Sequence, residues 1–425
     1  MTSTPSSSSD RLAPTPSDPA SPPPRRLRPL TAIKSTYALV YAVDGAILPF
    51  FTVFLAQEHG LDASQIGLVL AISAAAGIVG PPLVTMLADG FGRANRLLLG
   101  TLTLSAAALL AFCFAQGFWW LIVLFTVYGL AREPIRPLLD GIFFAARRTS
   151  DELAAARFHQ VRIWGSAGFM VPGVLLYFLI GWQGDSLALL PVVGCVLAFA
   201  TLPLVRHLPA APPRTPESPS TRTKLGDTAR AAYLVLVRPN MAIFVLAMFL
   251  LQAGMAAYMA FYPLQAAEVG VSSRWLGLLT TLGVGFELGF MAAFGWFVKT
   301  LGWRWFMVVG SATAVVRMVA LAVVPGVASV IGTQVIHGMV IIVTMVGSRA
   351  LLDREAPDGV RYTVQGIYAM VVMGGGRIVG NAVGGHLASV GLAQMFWTAA
   401  IVSAAATCML AWSLRSERRY GAWHA

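Results

Sequence analysis

Seven residues whose chemistry belongs in water, Asp44, Arg132, Glu133, Glu287, Arg317, His337 and Arg377, lie near the centres of long apolar stretches. On insertion scales a charge at such a depth costs about 2.5–3.5 kcal/mol, so the formally charged ones, left unpaired, would cost roughly 15–20 kcal/mol. They must face one another or a hydrated cavity. The chemistry on offer is recognition of a polar or charged solute, together with proton exchange among carboxyl and imidazole groups held beside guanidiniums. The stretch around 119–144 is the densest. Arg132, Arg136 and Asp140 follow at intervals of four and share one helical stripe that Tyr128 extends, while Glu133 is three before Arg136. Pro134 and Pro137 remove backbone donors in the same turn and predict a bend. The first stretch repeats the arrangement with Tyr37, Tyr41, Asp44 and Leu48, and Tyr41 and Asp44 are binding candidates. Arg162, near the start of the fifth stretch, is expected at the depth of Asp140, because adjacent spans run antiparallel.

These residues need elements that cross an apolar medium, and the composition agrees. Of 425 residues, 57% are hydrophobic and 12% charged, about half the charged share of a soluble domain. Apolar spans lie near 34–56, 65–88, 97–115, 119–144, 159–182 and 187–205, and again near 240–264, 274–298, 305–324, 328–351, 362–388 and 394–414. Lipid offers the backbone no hydrogen bonds, so each span is predicted to be helical. The net charge of +11 does not indicate nucleic acid, because its placement is one-sided. Arg93, Arg96, Arg147, Arg148, Arg157, Lys299, Arg304, Arg354, Arg361, Arg415, Arg418 and Arg419 fall in segments on one side, and the opposite loops hold Arg274. Positive charge stays inside, so both termini are expected in the cytoplasm and the protein in a bacterial inner membrane. Cys113, Cys195 and Cys408 fall within apolar runs and show neither a disulfide framework nor metal spacing.

The resulting fold class is an all-α membrane protein of twelve transmembrane helices in two six-helix halves. Residues 1–33, rich in Ser and Pro and ending near Arg25-Arg26-Leu27-Arg28, read as a disordered cytoplasmic tail. The halves cover 34–206 and 239–414, joined by a proline-rich cytoplasmic linker at 207–238, and 415–425 form a second cytoplasmic tail. The turn after the second span, with Gly92 and Arg93, is echoed after the eighth by Gly302 and Arg304, as expected of an internal repeat. Gly376, Gly380 and Gly384 predict a close approach of a neighbouring helix.

Asp89-Gly90-Phe91-Gly92-Arg93 resembles the loop signature of the major facilitator superfamily. The resemblance implies a gating loop in which Asp89, Gly92 and Arg93 act as a latch, although Lys299 replaces the acid in the second half. Val161-Arg162-Ile163-Trp164-Gly165-Ser166-Ala167-Gly168-Phe169 is similar to the fifth helix of the lactose-permease-related symporters, specifically the branch of phenylpropionate and nucleoside carriers. Val284-Gly285-Phe286-Glu287, Val316-Arg317, Gln334-Val335-Ile336-His337-Gly338 and Gln365-Gly366-Ile367-Tyr368 resemble the same branch. The resemblance implies an Asp140–Arg162 pair and a proton-coupling set of Glu287, Arg317 and His337, with Arg317 expected one helix from Glu287. The span carrying His337 has no acid near it, which departs from the sugar carriers of the group.

The expected function is proton-coupled symport of a small polar or anionic solute into the cell, with an aromatic or aliphatic carboxylate the first candidate and a nucleoside or sugar the second. Tyr41, Asp44, Tyr128, Arg132, Glu133, Arg136 and Arg377 are the expected substrate-binding residues. The alternatives are a proton-driven exporter and, more remotely, an intramembrane enzyme. The fifth span lacks the Gly-Pro-x-x-Gly-Gly pattern of antiporters, and Gly165-Ser166-Ala167-Gly168 lacks the order of a serine nucleophile turn. No enzymatic activity is expected. Partners are a small-molecule substrate, protons and membrane lipid, with no cofactor beyond the proton gradient, no metal and no nucleic acid, and the chain is expected to be a monomer.

Overall fold

The computed structural model describes residues 27–91, 93–147, 150–209, 221–357 and 360–415. Gly92, most of the N-terminal tail, the proline-rich segment 210–220 and the C-terminal tail from 416 therefore lie outside the described residues, as does the side chain of Asp89. Every described element is a helix.

Among the described residues, ten helices are long and apolar enough to cross a membrane. The first half supplies Pro29–Gln57, Ala63–Ala88, Ala94–Phe112, Phe118–Ala146 and Gln160–Trp182, and the shorter apolar Leu190–Val205 is its sixth span. The second half supplies Pro239–Glu268, Trp275–Ala292, Trp303–Val323, Thr363–Val390 and Leu392–Ser413. Its tenth span, at residues 327–355, is assembled from Val327–Gly332, His337–Ile342, a π-helical turn Val343–Gly347 and Ser348–Glu355. Segmentation follows the backbone chemistry. The fourth span breaks between Phe118–Arg132 and Ile135–Ala146, at Glu133 and Pro134, where a proline ring cannot continue the hydrogen-bond ladder. The first span breaks similarly between Ile47 and Phe51, around Pro49.

Packing repeats between the halves. In the first, the first span packs on the fifth and sixth, the third on the sixth and the second on the fourth. In the second, the seventh packs on the eleventh and twelfth, the ninth on the twelfth and the eighth on the tenth, so the same four pairings recur six spans later. The halves meet through the second span on the eleventh and the fifth on the eighth, two contacts that exchange under the same relation. An internal repeat expected from two loops thus extends to the whole packing scheme.

Large side chains face outward over much of the surface, as lipid requires. Trp119, Trp120 and Trp182 are exposed near one end of the bundle, and Trp296, Trp305 and Trp412 near the other, the level at which amphipathic indoles sit at a bilayer interface. Beyond its proline-rich part the linker segment forms a helix, Thr221–Leu236, that packs on the start of the eleventh span. No proline interrupts 221–236, and Ala232, Val235 and Leu236 are buried.

The three glycines of the eleventh span meet the seventh span of their own half. A Cβ on Gly376 would stand 2.9 Å from Gln252, one on Gly384 2.7 Å from Ala257, and one on Gly380 would fall on the Ala253 carbonyl. The close approaches between halves use other glycines. A Cβ on Gly67 would lie 2.6 Å from the Gly385 Cα, and one on Gly277 2.8 Å from the Gly173 Cα. These contacts, with Ser273 donating to Gln57 and Tyr177 against Trp275, lie from mid-span to the side away from the chain termini. On that side the halves are closed together.

Candidate functional site

The charged centre is built where the breaks in the first and fourth spans approach one another. Asp44 is 5% exposed and accepts from Arg132 Nε at 2.9 Å. Arg132 donates in addition to the Val40 carbonyl, so its guanidinium ties the fourth span to the last turns before the break in the first. Arg136, one turn on, reaches Asp44 Oδ2 at 3.8 Å and Glu133 Oε2 at 3.9 Å. Glu133 Oε1 then accepts from Arg377 Nη1 at 3.5 Å, across to the second half. The structure thus joins Asp44, Arg132, Glu133, Arg136 and Arg377 in one network spanning three helices and both halves. Its outer members are open. Arg136 and Arg377 expose 38% and 47% of their side chains although both belong to the middle of the bundle. Arg377 follows a π-helical segment, Ala369–Gly375, by one residue beyond Gly376. π-Turns widen a helix locally and are frequent at functional sites.

Tyr41 and Tyr128 frame this network differently. Tyr41 carries Arg162 over its ring at 4.1 Å and Arg136 at 5.5 Å. Tyr128, 5% exposed, stacks on Phe125, which stacks on Phe51, so its ring belongs to an aromatic column in the first half's core.

The expected Asp140–Arg162 ion pair is not a direct contact in the structure. Asp140 accepts a hydrogen bond from the buried Tyr37 hydroxyl, while Arg162 lies on Tyr41 and remains within electrostatic range of Asp140. The reason is geometric. Arg162 folds back over Gly165, where a Cβ would stand 2.8 Å from its Nη1 and 2.9 Å from the Tyr41 ring. Tyr37 and Tyr41, one turn apart, therefore interleave with the two charges.

A second correction concerns Glu287 and Arg317. Arg317 is fully buried, its Nη1 2.6 Å from His337 Nδ1 and its guanidinium 3.9 Å above the Tyr258 ring. A guanidinium has no acceptor, so Arg317 donates and the imidazole is neutral at Nδ1. Among the described residues Arg317 makes no ion pair with Glu287, and its Nε and Nη2 have no hydrogen-bond partner. Gly338 on the tenth span packs directly on the Glu287 backbone. The eighth span, which carries Glu287, packs on the fifth, which carries Arg162 in the other half.

Tyr258 was not singled out by the sequence, though it is as central as His337. It accepts from Gln334 Nε2 at 3.1 Å, and Tyr262, one turn on, donates to the Val330 carbonyl at 2.8 Å. The spacing of four on the seventh span was a signal of the same kind as Tyr37 and Tyr41 on the first. Of the gating loop, Arg93 is exposed at the start of the third span. Its counterpart Arg304 donates to the Ala411 carbonyl at 3.1 Å, binding the ninth span to the end of the twelfth.

A cavity of about 400 Å³ lies away from this centre, on the closed side, where Gln57, Ile66 and Leu264 contribute to its walls. Among the described residues no cluster of His, Cys, Asp or Glu has the arrangement of a metal site.

Comparison with known proteins agrees with this architecture. The chain is 27% identical over 379 residues to the probable 3-phenylpropionic acid transporter of Escherichia coli (strain K12), covering 87% of this chain and 93% of that one. It is 25% identical over 354 residues to the maltose permease of Geobacillus stearothermophilus, covering 83% and 86% respectively. The crystal structure of the nucleoside transporter NupG superposes with a TM-score of 0.79 at 17% identity, over 92% of this chain and all of that one, which shows a shared fold. The sequence profile of the MFS_1-like family matches residues 30–413, and the chain belongs to that family of major facilitator transporters, not to the enzymes.

Proposed function

We propose that this chain is a proton-coupled symporter of the bacterial inner membrane that imports a small polar or anionic solute by alternating access, with both termini in the cytoplasm. The observation that carries the reading is the packing of the fifth span, which holds Arg162, on the eighth, which holds Glu287, across the two halves. A carboxyl loses its proton more readily beside a cation and regains it when the cation moves away. Relative motion of the halves changes the Arg162–Glu287 separation, so it changes the proton affinity of Glu287 in step with access. The one-sided Lys and Arg distribution supports the orientation, and an inward proton-motive force adds about 2.3 kcal/mol per charge per 100 mV. Similarity to a phenylpropionic acid transporter supports an organic acid as first candidate. Similarity to a maltose permease keeps a sugar as the second.

The test is Glu287→Gln in proteoliposomes. Gln keeps the volume and hydrogen bonding of a protonated Glu but holds no exchangeable charge. Accumulation driven by a pH gradient should fall to background while exchange of internal for external substrate persists. Full proton-driven accumulation by the variant would remove Glu287 from the coupling.

A further inference from the structure

We propose that Glu133 is a stand-in for a substrate carboxylate, and that Arg136 and Arg377 form an anion clamp, one jaw in each half, whose ligand is an organic monocarboxylate. The proposal deepens the transport reading and rests on it for the cavity, while its test reads binding without transport.

The network has two tiers. Asp44 and Arg132 are buried and joined at 2.9 Å, and Arg132 is secured again at the Val40 carbonyl. That pair is a fixed tie between two helices. Glu133 meets its arginines loosely, through a separate oxygen at 3.5 Å and at 3.9 Å. A carboxylate and a guanidinium at full strength make two parallel bonds of about 2.7–2.9 Å. Neither jaw makes such a fork with Glu133. Its reach is limited by its own backbone, because it sits three residues before Arg136, at the break beside Pro134, with its side chain against Gly77, where a Cβ would stand 3.2 Å from its Cγ.

Charge and unmet polar capacity point the same way. Three guanidiniums face two carboxylates in this network, leaving one positive charge in excess. Arg136 Nε and the buried Arg132 Nη1 have no hydrogen-bond partner among the described residues. A singly charged carboxylate entering between Arg136 and Arg377 neutralises the excess and can bond both jaws at full geometry, which Glu133 cannot. Because the jaws belong to different halves, a ligand held by both favours the conformation that brings them together, as differential binding must if it is to shift a conformational equilibrium. In the empty carrier Glu133 screens the mutual repulsion of the jaws, and on loading it yields them to the ligand.

Purified protein in detergent, titrated with benzoate and hexanoate beside the neutral benzamide and hexanamide, tests this. The wild type should bind the acids and not the amides. Glu133→Gln removes the internal competitor and should tighten acid binding by about threefold to fivefold, the change that releasing one loose ion pair permits. Arg377→Gln should weaken it by tenfold or more. Should Glu133→Gln fold poorly from unmasked repulsion, benzoate should raise its thermal midpoint further than that of the wild type, and Glu133→Asp should bind acids at wild-type strength or better. The proposal is overturned by equal binding of acids and amides, by binding of neither, or by acid affinity that falls in Glu133→Gln. If acids do not bind and the same protein accumulates a sugar or nucleoside in vesicles, the anion clamp fails and the transport reading stands.

Discussion

Asp44 and Glu133 are two acids of one network with opposite structural weight. Removing one partner from a buried, tightly bonded ion pair leaves an uncompensated charge at a cost of about 3–5 kcal/mol, and Asp44 with Arg132 meets that description. Asp44→Asn should therefore lower stability by about that amount, read as the unfolding midpoint in detergent. Glu133, with longer and partly exposed contacts, should cost about 1 kcal/mol or less when changed to Gln. Equal losses for the two variants would contradict the division into a fixed tie and a yielding acid. Which residues belong to the centre was legible in the sequence, because a charge in an apolar run is a conspicuous violation. The Glu133–Arg136 pair within one helix was legible from its spacing of three, but which residues pair between helices was not. The Glu287–Arg317 expectation failed because pairing depends on how each helix is rotated about its axis, and the Gly338 contact with Glu287 is a packing event that no charge pattern encodes. Tyr37 between Asp140 and the neighbouring ring of Tyr41 was likewise visible as a stripe but not as a partner.

Among the elements, the closed side of the molecule shows two kinds of contact between halves. One is polar: Arg274 Nε stands 4.0 Å from Asp185 Oδ1, each about two-fifths exposed, with Arg274 over the Tyr177 ring at 5.6 Å. The other is backbone against backbone, at Gly67 with Gly385 and Gly173 with Gly277. An exposed, long ion pair contributes at most about 1 kcal/mol, whereas a side chain forced between two close-packed backbones costs about 1–3 kcal/mol. The glycines should therefore dominate the closure. Gly277→Ala should raise the reactivity of a cysteine placed at Gln57 toward a membrane-impermeant thiol reagent added on that side. Arg274→Gln should change it little, and the reverse ranking would contradict the assignment. The helices themselves were legible from apolar runs and prolines. The π-turns at Val343–Gly347 and Ala369–Gly375 were not, because a π-turn is an inserted residue accommodated by tertiary packing and leaves no periodic signal. The three-glycine stripe was legible as a close approach, but its partner within the same half was not.

At the scale of the molecule, the two halves repeat four helix pairings and meet through two exchanged ones. That symmetry was half visible in matching loops around Gly92 and Gly302 and becomes complete only in the packing. Two related halves that meet through exchanged contacts are the arrangement on which the proposed alternating access rests. The most direct measurement is uptake into proteoliposomes of the purified wild-type chain, with an inward pH gradient imposed and labelled acids, sugars and nucleosides offered in turn. At least one acid should accumulate above its external concentration, with matching alkalinisation of the outside medium, and both signals should vanish when a protonophore collapses the gradient. Accumulation that proceeds unchanged without the gradient, or solute that leaves the vesicles as protons enter, would contradict proton-coupled import.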